Sequence, residues 1–572
     1  MAGPVAAQGS GDWITYGGND WNQRYSTLRT ITTANVSQLV PRMVFQTGIA
    51  KLGSFENTPI VTNGIMYVTT PYNTAMAYDL TNHKELWRYE HKLGTTIYCC
   101  GPNNRGFAIH GGAHLYMGTL DAHLVALNAK DGSVAWTAKN GDPAKGQTGT
   151  SAAAVIKDKV IVGISGGEFG VQCHVTAYDL KTGKQVWRAF SEGPDDQILV
   201  DPQKTTEHGK PVGADSSLKT WQGDQWKIGG GCTWGWISYD PQLNLFYYGS
   251  GNPSTWNPKQ RPGDNKWSMT IWARSPDDGK ARWVYQMTPH DEWDYDGINE
   301  MILADVNMNG QARKILVHFD RNGFGYTLDR TNGKVLVAQP YGPVNWAKRV
   351  DLTTGVPEKD PKYGTTAKKN TEGICPAAIG FKDQQPAAYS PVTGLFYVPA
   401  NHICMDYEGV EVKYTAGQPY VGAIVRMFPG PGGHRGNFIA WDPMKGKAVW
   451  SNKENLAAYG GALTTATGLV FYGTMEGWLK ALDAKTGKSL WQFKTPSGII
   501  GNPMTYNGPD GQQYVAVLSG IGGWAGIGVA AGIGAEDPTA GLGALGAFGD
   551  AGNFSNQGGV LTVFGLKNQP VK

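Results

Sequence analysis

Ala177-Tyr-Asp-Leu-Lys-Thr-Gly-Lys-Gln-Val-Trp187 is the stretch that decides the fold. It reads as a strand, a tight turn built on Asp179 and Gly183, and a second strand ending in an aromatic that can pack on a neighbour. The unit recurs as AYDLTNHKELW ending at Trp87, ALNAKDGSVAW at Trp136, AWDPMKGKAVW at Trp450 and ALDAKTGKSLW at Trp491. Looser copies are ARSPDDGKARW at Trp283 and YTLDRTNGKVLV, where Val337 replaces the tryptophan. Short apolar strands ending in small or polar residues stand at 65–73, 115–123, 160–168, 245–252, 315–325, 395–402, 469–478 and 514–524. These eight units predict an all-β chain, an eight-bladed β-propeller with tryptophan-containing repeat motifs, forming one domain over 1–572. Insertions at about 190–232, 339–385, 405–436 and 525–557 are expected as loops over one face. The ring is expected to close by pairing a strand near Trp13 with 559–566.

Composition agrees with this reading. The 79 glycines, 20 tryptophans and 26 tyrosines in 572 residues suit short aromatic strands joined by tight turns. With a net charge of only +3, nothing suggests a nucleic-acid surface. No apolar run approaches the roughly 18 residues of a membrane span. The start MAGPVAAQGSGDW lacks a basic segment followed by an apolar one, so no signal peptide is expected in this sequence.

Chemistry concentrates in His290-Asp-Glu-Trp-Asp294-Tyr-Asp296-Gly297. In extended backbone Asp294 and Asp296 leave the chain on the same side, and two converging carboxylates need a proton or a cation between them. By repeat register, Glu168, Asn252, Asn401 and Trp478 each end a short strand, and such positions approach the axis of a propeller. Local turn capping also explains Asn401. The six cysteines are Cys99, Cys100, Cys173, Cys232, Cys375 and Cys404; no C-x-x-C-H occurs, which excludes covalent haem on this chain. A bond between adjacent Cys99 and Cys100 would be strained, since their Cα atoms lie about 3.8 Å apart; free thiols or bridges to other cysteines are the alternative.

Cys99-Cys100-Gly-x-x-Asn-Arg105, GGGCTWGW (229–236), HDEWDYDG (290–297), DRNGFGYTLDR (320–330) and GICPAAIGFKDQQPAAYSP (373–391) together resemble the methanol dehydrogenases that use pyrroloquinoline quinone (PQQ), from about residue 12 to 566. The resemblance implies a periplasmic propeller with PQQ on its axis. It implies a Cys99–Cys100 disulfide over one PQQ face, Trp234 beneath the other, and a conventional Cys375–Cys404 disulfide, leaving Cys173 and Cys232 unpaired. Glu56, Arg105, Thr150, Ser165, Gly166, Gly167, Asp383 and Trp478 match cofactor contacts, with Arg105 suited to the PQQ carboxylates. Arg321 matches the arginine beside the reactive carbonyls. Glu168, Asn252 and Asp294 match the metal ligands, and Asp294 also matches the catalytic base. Asp296 resembles the extra carboxylate of the lanthanide-dependent branch, the alternative being Ca²⁺ with Asp296 facing solvent; a trivalent ion demands more negative charge. Cys232 stands where many members have threonine, and Asp383 where calcium-using relatives tend to have asparagine.

The implied function is oxidation of methanol or another primary alcohol to aldehyde, by hydride transfer to metal-activated PQQ with Asp294 as base. Electrons would pass to a separate cytochrome c, and a homodimer is expected by resemblance alone. The rivals are a broader-range alcohol (ethanol) dehydrogenase of the same fold and a non-catalytic propeller scaffold, which has no need of the carboxylates.

Overall fold

The computed structural model describes residues 11–49, 52–98, 101–308, 310–366 and 369–568. It is a β-propeller of successive, mainly antiparallel sheets, most of them four-stranded. The repeat unit forms two adjacent strands of a sheet, as in Thr74–Asp79 with Lys84–Glu90 and His174–Asp179 with Gln185–Phe190.

The tryptophans join one sheet to the next. The indole N–H of Trp87 donates to Ala129 O at 2.9 Å, and those of Trp187, Trp283, Trp450 and Trp491 donate to Pro276, Arg330, Ala484 and Leu39 oxygens at 3.0–3.1 Å. The rings of Trp87, Trp136, Trp187, Trp283 and Trp450 lie on Gly132, Gly183, Gly279, Gly333 and Gly487, in the glycine turn of the following repeat. Gly183, at φ +68°, faces Trp136 so closely that a β-carbon would stand 2.5 Å from the ring. Only glycine combines that backbone with that contact. In the copy lacking tryptophan, Val337 covers Gly446.

Closure differs from expectation. Val560–Leu566 pairs with Leu39–Gln46 rather than with a strand near Trp13. Pro41 argues against a paired strand in the sequence, but it falls at a bulge, where the missing N–H costs nothing. Trp13 instead exchanges backbone hydrogen bonds with Val61, both 2.9 Å. From there residues 13–26 cross the innermost strands of several sheets. Asp20 O accepts from Tyr239, Trp21 O from Leu303, Gln23 O from Tyr389 and Arg24 O from Thr464. Arg24, fully buried, donates to the carbonyls of Tyr16, Ala462 and Pro503. This strap is invisible in the sequence because it has no repeat period.

The insertions are ordered. Thr371–Ile374, Ile403–Gly409 and Ala423–Pro429 form a three-stranded sheet. The short helix Ala544–Phe548 packs on it, with Met427 N donating to Gly543 O at 3.1 Å. Among the described residues no helix is long and apolar enough to cross a membrane.

Cysteine pairing also needs correction. Cys173 and Cys232 are bonded to each other, with Cα atoms 4.7 Å apart across 59 residues of sequence. The fold lays residues 171–173 beside 230, where Gly230 N donates to Val171 O and Cys173 N to Gly230 O, both 2.9 Å. Cys375–Cys404 forms as expected, and Cys99–Cys100 lies outside the described residues.

Candidate functional site

Loops between the sheets enclose a cavity lined on one side by Glu56, Arg105, Thr150, Ser165 and Gly166, on the other by Asp294, Asp296, Arg321 and Asp383, with Trp234 between them. Glu168 also reaches it. The chain therefore assembles residues from eight separate stretches of sequence.

Asp294 and Asp296 leave their loop on the site side, while Trp293 and Tyr295 stack on each other and pack at a tilt against Trp346 behind it. Asp291 shapes the loop, its carboxylate accepting from the backbone N–H of Trp293, Asp294 and Tyr295 at 3.0–3.3 Å. This holds Asp294 at φ +67°, in the left-handed region that residues other than glycine seldom enter. Sequence reasoning passed over Asp291, although a carboxylate followed by exposed amides is a turn signal.

Asn252 lies at the centre of the acidic group. Its side-chain amide bonds Glu168 Oε1 at 2.9 Å and Asp294 Oδ1, and its backbone N–H bonds Asp296 Oδ1 at 2.5 Å. The register argument thus placed Glu168 and Asn252 correctly. Asn401 does not line the cavity; its side-chain amide donates to Gly380 O at 3.1 Å, a contact between distant segments and not a local cap. Trp478 does not line the cavity; it is half-buried at the start of Trp478–Asp483, its ring beside Lys494 Nζ.

The electrostatics ask for a cation. Burial drives the Asp294 carboxyl well above the ordinary range, reinforced by Asp296 and Glu168 and only partly opposed by Arg321. Burial also pushes Asp296 up to about 7. Five carboxylates (Glu56, Glu168, Asp294, Asp296, Asp383) face two guanidiniums. Arg105 pairs with Glu56 at 2.7 Å and Arg321 with Asp383 at 2.5 Å, which leaves the charges of Glu168, Asp294 and Asp296 largely uncompensated. Arg321 reaches Asp294 and Asp296 only at 3.3 and 3.4 Å. Burial opposes its charge, but Asp383, Asp296 and Asp294 outweigh it and keep the guanidinium protonated. Among the described residues no three His, Cys, Asp or Glu side chains are placed to hold a metal by themselves. The carboxylates of Glu168, Asp294 and Asp296 instead converge on Asn252, whose Oδ1 accepts from Ser254 N at 2.9 Å. Three carboxylates gathered in this way fit the charge demand of a hard trivalent ion.

The remainder fits a flat polyanion. Trp234 offers a ring with the guanidiniums of Arg105 and Arg321 at 4.7 and 5.3 Å. Arg105 Nη1 donates to Thr150 Oγ1 at 3.0 Å, and Thr150 lies 2.6 Å from Ser165 Oγ. Arg105 Nε and Arg321 Nε are buried donors with no hydrogen-bond partner among the described residues, as a cradle for carboxylates or carbonyls would leave them. Tyr459 donates to Asp383 from behind. Trp256, Trp524 and Leu542 form an apolar wall beside Asp294. Sequence reasoning missed this wall; Leu542 lies in an insertion, and no repeat register points to it.

The family described as "PQQ: Glucose/ethanol/alcohol dehydrogenase, beta-propeller domain" matches residues 13–348 and 441–515. The chain is 62% identical to a lanthanide-dependent methanol dehydrogenase of Methylorubrum extorquens, covering 96% of this chain and 93% of that protein. It is 45% identical to subunit 1 of a methanol dehydrogenase (cytochrome c) of Paracoccus denitrificans, covering 98% and 91%. A solved europium-containing methanol dehydrogenase superposes with a TM-score of 0.94 at 52% identity, covering 97% and 98%. The chain therefore belongs to the PQQ-dependent alcohol dehydrogenases and, within them, to the lanthanide-dependent methanol dehydrogenases.

Proposed function

We propose that this protein oxidises methanol to its aldehyde in the periplasm, using PQQ and a lanthanide ion and passing electrons to a cytochrome c. The observation that carries the reading is the group of Glu168, Asp294 and Asp296 around Asn252, two buried carboxylates and one partly buried, beside a flat, cation-flanked slot. Glu168, Asn252, Asp294 and Asp296 would hold the lanthanide. Trp234, Arg105, Arg321, Glu56, Thr150, Ser165 and Asp383 would hold PQQ. When bound, the pair supplies a quinone that accepts hydride and a Lewis acid that polarises it.

This chain's own residues do the rest. Asp294 is the group placed to take the proton of the substrate hydroxyl. Arg321 holds Asp383 on one side and faces Asp294 and Asp296 on the other, where it can counter developing negative charge. Trp256, Trp524 and Leu542 exclude water and leave room for a short alkyl group. Trp524 is fixed by its N–H on Gly541 O at 2.8 Å.

The sheets are read as eight blades of a single domain spanning the chain. Eight sheets of four or more strands among the described residues support this, as does the pairing of Leu39–Gln46 with Val560–Leu566, which joins the two ends. The Cys173–Cys232 and Cys375–Cys404 bonds support an oxidising compartment. The cytochrome assignment is supported by the likeness to the Paracoccus protein.

Turnover should be measured with a dye acceptor after reconstitution with PQQ and either La³⁺ or Ca²⁺, across methanol to butanol. Lanthanide-dependent turnover, highest for methanol, is expected. Equal rates with calcium would remove the lanthanide assignment, and a preference for butanol would favour a broader alcohol dehydrogenase.

A further inference from the structure

We propose that the Cys173–Cys232 disulfide is a clamp for the metal site, making these two cysteines positioning residues for the lanthanide ligands. This rests on the metal reading above and adds to it a covalent part outside the donor set.

The bond joins two segments that between them touch the backbone of the donor group. Cys173 ends the loop that begins at Gly167-Glu168. Cys232 lies two residues before Trp234, and its carbonyl accepts from Gly251 N at 2.8 Å. The preceding Gly231 donates its N–H to Asn252 O at 2.8 Å. Cys232 and its neighbour thus fix both peptide units flanking the Gly251-Asn252 step. Gly251 in turn lies against Asp296; a β-carbon there would stand 2.3 Å from Asp296 Oδ1. On the other side, a β-carbon on Gly167 would be 3.3 Å from Asn252 Oδ1 and 3.7 Å from Cys232 Sγ. Ser254 Oγ ties Gly167 O to the Asn252 loop at 2.9 Å. The sulfur bridge therefore sits where the Glu168, Asn252 and Asp296 segments meet.

Its setting is local. Both cysteines are buried, in a small cluster with Ala122, Ile164, Phe169 and Val171, with Trp234 at its edge. The sheets on either side have larger apolar cores of their own. A bond so placed does less for the fold as a whole than for the spacing of the donor segments. Donors carrying like charge push apart before an ion arrives, and a covalent tie limits how far they can go. Supporting contacts of this kind typically change metal affinity by about 10- to 100-fold.

The test uses the full chain, expressed without lanthanide, titrated with Tb³⁺ and read by tryptophan-sensitised emission. Wild type is compared with Cys173→Ala/Cys232→Ala and with Ile161→Ala, which empties a core position of the neighbouring sheet. The double variant is expected to keep its circular dichroism spectrum and bind Tb³⁺ at least about tenfold more weakly, while Ile161→Ala keeps wild-type affinity. Unchanged affinity in the double variant overturns the clamp. So does an equal loss in Ile161→Ala, which would show general loosening, or a double variant that does not fold, which would make the bond a support of the whole domain. In wild type, alkylation after denaturation without reductant should leave Cys173 and Cys232 unlabelled; labelling of both overturns the proposal whatever the variants do. A wild type that takes up no Tb³⁺ overturns the metal reading itself, and the clamp falls with it.

Discussion

The indole N–H of Trp234 donates to Asp296 Oδ2 at 3.0 Å, so the residue proposed as the floor of the quinone slot and the carboxylate proposed as an additional metal ligand are held as one unit. The other oxygen of Asp296 accepts from Asn252 N, and the residue is only 3% exposed. A solvent-facing role for Asp296 is thereby excluded. Its charge is aimed inward by donors from two different segments.

Asp296→Ala should therefore lower lanthanide-supported turnover by about 10²-fold, with calcium-supported turnover reduced less. Steady-state rates with each ion separate the two effects. Equal losses with both ions would show that Asp296 does not distinguish the ions.

Asp294→Asn should abolish most turnover, about 10²- to 10⁴-fold in kcat, while the protein keeps bound PQQ. Asparagine tolerates the left-handed backbone that Asp294 adopts, so the loop should hold its shape. Absorbance of the purified variant reports the quinone and a dye-linked assay reports the rate. Retained turnover would remove Asp294 as base.

Glu192→Gln should stabilise the protein in alkaline solution. Glu192 is fully buried, its carboxylate oxygens have no hydrogen-bond partner in another residue among the described residues, and burial raises its pKa well above the ordinary 4.5. A carboxyl raised in the folded state favours folding fully below its unfolded value, and that advantage is lost as pH rises through the folded one. The neutral amide removes this dependence. The variant should match wild type near pH 4 and exceed it by about 1–3 kcal/mol near pH 8 in urea unfolding. A difference that did not grow with pH would contradict the assignment.

Arg24→Ala should cost about 3 kcal/mol, because it leaves three buried carbonyls without their donor. The residue lies in the strap and does not line the cofactor cavity, so kcat per folded molecule should be unchanged. A fall in kcat without loss of stability would show that the strap acts on the site.

Much was legible in the chain itself. The Trp-Gly repeat specified the sheets because turn chemistry and strand alternation are local, and repetition told how often they recur. The same register brought Glu168 to Asn252, and Asp294-Tyr-Asp296 announced paired carboxylates. What the chain did not reveal depends on contacts between distant segments. Cys173 found Cys232 only because residues 171 and 230 lie side by side. Leu39–Gln46 proved to be the closing strand despite Pro41, and residues 13–26 became a strap without any period to mark them. The wall of Trp256, Trp524 and Leu542 comes from three separate regions. Local sequence thus determined which pieces form and what chemistry they carry. Only the tertiary structure decided which pieces touch, because burial and charge compensation are properties of the closed ring and not of any one segment.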